Sequence, residues 1–517
     1  MPEHLRALVV ILALSAGVFL FAKAPATALA MAPKDFERRR NLWFAITLTA
    51  FLAHNFWLYI VVAAGLLLVA VRNEHNKLAM FFFLLFAVPP LGEQITGLGL
   101  IKHFFTIDYI RLLTLAVLLP AFLSIRTRLD TERFGRSIPD KLISSYIVLN
   151  FLLMFTASTF TNTLRHGVFY AFVDIFLPYY IASRSVKNLQ DFRDTLMAFA
   201  VAALVLSAIG AFEFARHWLL YAPVGNALGI RWEVGNYLDR ADTLRAQGST
   251  GHPIVLGYVM AVAIGFLGFL RKAVPNKMAW SIAMAVLLMG LVASLSRGPW
   301  MGAAVMLLLF IALGPAAGLR FAVVGVIAVI MTPFLLASST GEKIIDLLPF
   351  LGTVEAENIT YRRRLLEISI QVIMQNPLFG AFDYIYSPAM QELRQGQGII
   401  DIVNSYLGVG LTSGLVGLSI FLGFFISVAV GVFKAVRKLI DKDRESYLLG
   451  QALLSTLLGI LVVIATASST LVIPVVYWSV AGLCIAYARV VQRTVEGKKV
   501  SEAPRENLGR SPAEMAV

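Results

Sequence analysis

Apolar runs and short polar breaks alternate along nearly the whole chain. The runs fall near residues 7–22, 41–57 with 58–71, 78–92, 109–125, 142–160, 168–182, 195–215, 253–270, 278–295, 301–318, 321–337, 403–433, 446–468 and 470–488. Many approach the ~20 residues a helix needs to cross a bilayer, so the pattern predicts an all-α polytopic membrane protein with about 13 to 15 transmembrane segments. The run 41–71 is too long for one straight crossing and holds His54 and Asn55 near its middle. A pair of short helices or a re-entrant hairpin is expected there. The first run ends in the small residues of Ala24 to Ala30, which resemble a signal-peptidase site. An uncleaved first helix is the primary expectation and a cleaved signal the alternative.

The polar breaks fall into two kinds. Lys34 to Arg40, Arg72 to Lys77, Arg126 to Lys141, Arg184 to Arg193, Arg271 to Lys277, Arg320 and Lys434 to Arg444 are basic, as is the start of the tail after Arg489. Assigning all of them to the cytoplasm by the positive-inside rule leaves every intervening loop on the other face, without a parity conflict from residue 34 onward. The expected organisation is an N-terminal apolar segment 1–33, a bundle 34–215, an outer loop 216–252, central helices 253–337, a large outer loop 338–402, C-terminal helices 403–489 and a polar cytoplasmic tail 490–517, disordered from about Val495. A bacterial inner membrane, with any chemistry on the periplasmic face, is the expected location.

Composition agrees. Hydrophobic residues make up 58% of the 517 and charged residues 15%, with mean hydropathy +0.76, whereas soluble domains carry roughly a quarter charged residues. The net charge of +13 resides in loops beside apolar runs, where it meets anionic headgroups, so nucleic acid is excluded as a partner and the bilayer expected. The single cysteine, Cys484, lies inside an apolar run and offers neither disulfide nor thiol chemistry. The histidines show no ligand spacing and the outer loops no D-x-D cluster, so no metal or other cofactor is expected.

Within the loop 338–402, Thr360 is placed to cap a helix running through about Met374, with Leu365, Leu366, Ser369, Val372 and Ile373 on one face. Asn376-Pro377 ends it and Gly380 supports the turn. Arg362, Arg363 and Arg364 then fall in the first turn, against the helix dipole, and imply a nearby anion or lipid headgroup. Two more arginines lie on the same face. Arg245 stands in R-A-Q-G-S-T-G-H-P and Arg297 in the tight turn S-L-S-R-G-P-W. A charge at the depth of Arg297 costs about 2.5–3.5 kcal/mol unless paired or hydrated, which marks it as functional rather than as a snorkelling helix end. The guanidinium fork matches phosphate oxygens and can offset charge on a leaving group, so these arginines point to recognition of a lipid pyrophosphate.

The turn S-L-S-R-G, the stretch R-A-Q-G-S-T-G-H-P before a helix, the large outer loop, the run from Arg362 to N-P-L-F-G, and V-N-S-Y-L-G-V-G-L-T-S-G-L-V-G-L resemble the bacterial O-antigen ligase and polymerase superfamily. Motifs cover about 240–430 and topology the whole chain. The resemblance implies a GT-C-like glycosyltransferase architecture with a large helical periplasmic loop. It implies an inverting, metal-independent transfer of glycan from undecaprenyl pyrophosphate to an acceptor hydroxyl. Arg245 and Arg297 then correspond to the pyrophosphate-binding arginines and Arg362 to the arginine that opens the loop helix, a third candidate for the pyrophosphate; Arg363 and Asn404 are candidates for the acceptor or cavity.

Ligases of this kind carry a histidine just before the N-x-Y/L element, where this chain has Val403. The base is therefore open. Asp401 is one candidate, or else a loop carboxylate or helix cap; His252, beside Arg245, is another, or an incidental loop histidine. The substitution resembles the polymerase-like members, which join exopolysaccharide repeat units and can work with a chain-length regulator; a ligase to lipid A-core or protein and a lipid-linked oligosaccharide flippase are the alternatives. Asp108 and Arg111 read as a local pair, and Arg165 with His166 as outer-loop residues. Asp174, inside an apolar run, requires a partner or a water-filled cavity.

Overall fold

The computed structural model describes residues 1–97, 99, 102–128, 131–230, 235–240, 243–336, 356–395, 398–439 and 444–502. The chain opens with α1 (Glu3–Leu29), α2 (Pro33–Leu52), α3 (Phe56–Arg72) and α4 (Lys77–Leu84), followed by an antiparallel hairpin of β1 (Gly92–Thr96) and β2 (His103–Asp108). Helices α5 (Tyr109–Arg126), α6 (Ile138–Ala157), α7 (160–185) and α8 (Leu189–Arg216) follow. A short α9 (Ala222–Ala227) and a two-residue ladder of β3 (Asp239–Arg240) and β4 (Thr243–Leu244) lead to α10 (Pro253–Leu270), α11 (Lys277–Ala293), α12 (Arg297–Ala312) and α13 (Ala317–Leu336). The amphipathic α14 (Ala356–Gln375) precedes α15 (Ser405–Arg437), α16 (Arg444–Ile464) and α17 (Ile473–Glu502).

The helix starts are written in asparagines. Asn55, Asn76, Asn188, Asn276 and Asn404 each stand at an N-cap and accept backbone N–H groups from the first turn that follows, which satisfies donors the helix itself leaves open. Asn55 follows His54 at φ 51°, and that left-handed residue breaks the run 41–71 into α2 and α3, the expected pair.

Among the described residues, eight helices are long and apolar enough to cross a membrane and four apolar helices are shorter, so the architecture is that of a multi-pass membrane protein. That is fewer full-length spans than the sequence pattern predicts, because some apolar runs do not form continuous helices. The run 78–92 is helical only through Leu84. Residues 85–88 turn, Pro89 and Pro90, lacking the N–H a helix needs, keep it from resuming, and the chain enters β1 from this buried stretch. The run 168–182 belongs to α7, whose middle, Leu164–Phe176, is wound as a π-helix.

The bundle has two chemically distinct ends. At one, the basic end, Arg39 donates to Glu74 at 2.8 Å and to Asp194 at 2.6 Å. Arg184 meets Asp140 at 2.7 Å, with Tyr179 donating to the same carboxylate, and Arg193 meets Glu445 at 2.7 Å. These are the loops the charge rule assigns to the cytoplasm, and their cations are spent on tying helices together. The orientation of α1, ambiguous in the sequence, is resolved by contacts: Trp218 donates to Glu3 at the opposite end, while Gln190 donates to the Ala30 carbonyl at the basic end.

Helix α17 continues through Glu502, past the expected onset of disorder at Val495; the tail 503–517 lies outside the described residues, as does the start of the large loop, 337–355.

Candidate active site

At the end opposite the basic one, four separate stretches meet. The first is the segment before α10. Its backbone is held by Glu213, a buried carboxylate near the end of α8 that accepts the N–H groups of Leu220 at 3.0 Å, Gln247 at 3.0 Å and Gly248 at 2.7 Å. Gly248 has φ 53°, a conformation other residues rarely adopt. This anchoring sets R-A-Q-G-S-T-G-H-P against the α11–α12 turn, where the Ala246 N–H donates to the Ala293 carbonyl at 3.0 Å. The guanidinium of Arg245 reaches the Ser294 carbonyl at 3.5 Å and the Ser296 hydroxyl at 3.0 Å. Arg240 donates to the Leu295 carbonyl of the same turn. Arg245 therefore stands one residue from Arg297, which opens α12.

The third stretch is T-A-S-S-T, residues 466–470, between α16 and α17. A Cβ on Gly298 would lie 2.1 Å from the Thr466 hydroxyl, so the first turn of α12 presses directly on this loop. Arg362, from α14, donates to the Thr466 carbonyl at 3.4 Å. The fourth stretch is D-I-V-N-S, where the Ser468 hydroxyl donates to Asp401 Oδ1 at 2.8 Å and Ser405 donates to the Ala467 carbonyl at 2.8 Å. The first turn of α12, which Arg297 opens, thus converges with Arg362 and Asp401 on one short hydroxyl-rich loop. That loop was not singled out from sequence, although a run of hydroxyl residues between two apolar segments is itself a signal.

Helix α14 is held there by its own small core. Leu365, Ile368, Val372 and Ile373 pack with Met390, Leu393 and Leu411. Helix α15 is broken at Gly414, φ 62° and ψ −165°, and N-P-L-F-G fills the break: the N–H groups of Leu415 and Val416 donate to the Pro377 and Leu378 carbonyls, and that of Ala381 donates to the Leu411 carbonyl at 2.9 Å. A Cβ on Gly414 would come within 2.4 Å of the Leu378 backbone, and one on Gly380 within 2.5 Å of the Leu411 carbonyl. Two motifs far apart in sequence are one joint.

Several expectations change. Helix α14 begins at Ala356, so Thr360 lies inside it and Arg362 to Arg364 stand in the second turn rather than the first; the unfavourable dipole contact is weaker than the sequence implies. Leu366 is exposed, and Ile368 takes its place on the buried face. Arg363 points away, in an exposed pair with Glu367, and Arg364 pairs with Glu392. Asn404 caps α15, accepting from Tyr406 at 2.9 Å and Leu407 at 3.2 Å, which leaves Asp401 free of that duty. Asp174 does have the partner its depth demands: Arg111 bonds it at 2.9 Å, also meets Asp108 at 3.2 Å, and lies over the Tyr170 ring at 3.8 Å. This second polar cluster is built on the π-helix and the β1–β2 hairpin.

His252 is the N-cap of α10, its Nδ1 accepting the Ile254 N–H at 3.2 Å. Burial, with the Arg245 charge second, pushes its pKa down to about 4. A neutral imidazole whose Nδ1 accepts carries its proton on Nε2, so the ring offers this site a donor and no lone pair. Asp401 accepts the Ser468 hydroxyl on Oδ1.

A membrane-embedded helical bundle with a cationic, hydroxyl-lined site at one end is the class of protein defined here. Residues 282–422 match the family described as O-antigen ligase, which supports placing the chain in the O-antigen ligase-related superfamily. The matched segment contains Arg297, Arg362, Asp401, Asn404 and Gly414, while Arg245, His252 and the 466–470 loop come from outside it. No curated protein matches the chain. The family consists of glycosyltransferase-like ligases and points to glycan transfer in O-antigen or polysaccharide synthesis.

Proposed function

We propose that the chain is an inner-membrane glycosyltransferase that joins polysaccharide repeat units at the periplasmic face, from an undecaprenyl pyrophosphate donor. The observation that carries this reading is that the turn leading into Arg297 holds Arg245 at Ser294 and Ser296, while the next residue, Gly298, abuts the 466–470 loop, which Arg362 meets at Thr466 and Asp401 at Ser468. In the transfer, an acceptor sugar hydroxyl attacks the anomeric carbon from the face opposite the pyrophosphate. The new C–O bond forms as the bond to the pyrophosphate oxygen breaks, and inversion follows. The hydroxyl proton passes to Asp401, and the electron pair leaves with the lipid pyrophosphate, whose charge the arginines stabilise where it develops. GT-C-like architecture belongs to the same reading.

The O-antigen ligase description of residues 282–422 favours a second reading, transfer of a finished glycan to lipid A-core or protein. Arg245→Ala and Arg297→Ala, followed by extraction of lipid-linked glycan from the host, separate them. Outward-facing single repeat units should accumulate if the chain polymerises. Full-length polymer held on the carrier indicates the ligase, and units trapped on the cytoplasmic leaflet would sink both in favour of a flippase.

A further inference from the structure

We propose that the cleft between α10, α11, α12 and α16 binds an anionic phospholipid of the leaflet at the basic end, with Arg271 and Arg320 holding its phosphate. The cleft arises from the way α11 and α12 leave their shared turn. Helix α11 packs against α8 and α10, whereas α12 packs against α16 and α10, so the two splay apart. Between them lies a cavity of about 830 Å³ walled by apolar side chains such as Met284, Leu288, Leu307 and Phe310. That volume falls within the roughly 300–1,000 Å³ of small-molecule sites. Its floor is open because Gly268 presents no side chain: even a Cβ there would reach only the Phe310 ring, at 3.8 Å.

The two ends of the cleft differ. Toward the candidate active site, the Trp300 indole donates to the Leu291 carbonyl at 2.8 Å, bridging α11 and α12 beneath the turn that carries Arg297. Toward the basic end, Arg271, which caps α10, and Arg320, from α13, both line the opening. Arg271 is steadied by the Trp280 ring, 5.4 Å from its guanidinium. The neighbouring basic-end cations Arg39, Arg184, Arg193 and Arg489 are all in ion pairs; among the described residues, Arg271 and Arg320 make no ion pair with a carboxylate.

Two guanidinium groups at the mouth of an apolar wedge match a phosphate attached to hydrocarbon chains. By the charge rule this mouth faces the cytoplasmic leaflet, where juxtamembrane basic residues meet anionic lipid. A polyprenyl tail fits less well, because its pyrophosphate would sit at the opposite end, beyond the Trp300 bridge.

Native mass spectrometry of the full chain in detergent, titrated with phosphatidylglycerol and separately with phosphatidylcholine, tests this. Phosphatidylglycerol should bind the wild type in preference, and Arg271→Gln with Arg320→Gln should weaken it about tenfold or more while leaving phosphatidylcholine little changed. Ala304→Trp, which fills the cleft and keeps both arginines, should weaken both lipids, with gel-filtration behaviour and melting temperature showing that the variant is folded. Equal binding of the two lipids by the wild type overturns the proposal. So does unaltered phosphatidylglycerol binding in the double variant or in folded Ala304→Trp, or a co-purifying polyprenyl phosphate that Ala304→Trp displaces.

Discussion

The hydroxyl of Tyr361 donates to the Asp401 carbonyl at 3.0 Å and accepts the Asp401 N–H at 3.1 Å. One side chain thereby fixes the backbone of the candidate base to the residue that precedes Arg362. The consequence is geometric: Arg362 on Thr466 and Asp401 on Ser468 cannot move independently, because both ends of the link rest on the same loop.

Tyr361→Phe keeps the ring, which packs beside the small core of α14, and removes both hydrogen bonds. Each is worth about 0.5–1.5 kcal/mol net, so transfer in isolated membranes should fall roughly tenfold. The melting temperature should fall by only about a few degrees. Arg362→Ala and Asp401→Asn should each cost more than Tyr361→Phe. If Tyr361→Phe instead matches wild-type turnover, the clamp has no part in positioning the site.

The joint between N-P-L-F-G and the break in α15 gives a stability prediction. Gly414 occupies a backbone region essentially reserved for glycine, where other residues cost about 1–3 kcal/mol, and it also abuts the Leu378 backbone. Gly414→Ala and Gly380→Ala should therefore lower the melting temperature in detergent and weaken function together. Gly431→Ala, in the same helix with nothing within 4 Å of the added methyl, should be neutral or slightly stabilising. Equal melting temperatures for Gly414→Ala and Gly431→Ala would remove the joint from the account.

Helix positions were legible because apolar runs and asparagine caps are local signals, and the two-ended charge pattern followed from loop composition. The arginines were legible too, since a cation on the disfavoured face stands out against its surroundings. The 466–470 loop was not singled out, because Thr466 and Ser468 matter only through what α12, α14 and α15 bring to them. Glu213 was hidden for a similar reason: its three N–H partners come from beyond the end of its own helix. The break at Gly414 sits inside an unbroken apolar run, and only the inserted Pro377–Ala381 backbone reveals it. Leu366 and Ile368 exchange faces because the buried stripe follows Leu365, Ile368, Val372 and Ile373 against Met390, Leu393 and Leu411, a choice of partner that the helical period alone leaves open.

Arg39 makes a case at the opposite end. It is fully buried and bonds Glu74 and Asp194, joining α2 to α8. Arg39→Met leaves Asp194 buried without its cation and Glu74 with Arg38 alone, a loss of the kind that costs about 3–5 kcal/mol. Thermal unfolding followed by tryptophan fluorescence should show a large drop for this variant. Adding Asp194→Asn to it should recover much of the loss, since the stranded charge is then gone, while Glu74 keeps its pair with Arg38. No recovery would mean that the triad contributes shape rather than charge balance.

His252 supplies a pH prediction with a definite sign. Its folded pKa of about 4 lies below the ordinary value of 6.5, so on acidification the unfolded chain takes up the proton first. Stability is complete above about pH 6.5 and falls as pH drops from there toward 4. His252→Asn keeps a side-chain acceptor at the cap of α10 but removes the titration. The variant should therefore lose less melting temperature than wild type between pH 7.5 and 5, while the two remain close at pH 7.5. The same variant examines the chemistry. Because the Nδ1 lone pair is engaged with the Ile254 N–H, His252 acts as a donor, and an asparagine amide can substitute for it. Transfer by His252→Asn should stay within about tenfold of wild type, whereas loss on the scale of a missing base, about 10²-fold or more, would return the proton-accepting role to His252 and take it from Asp401.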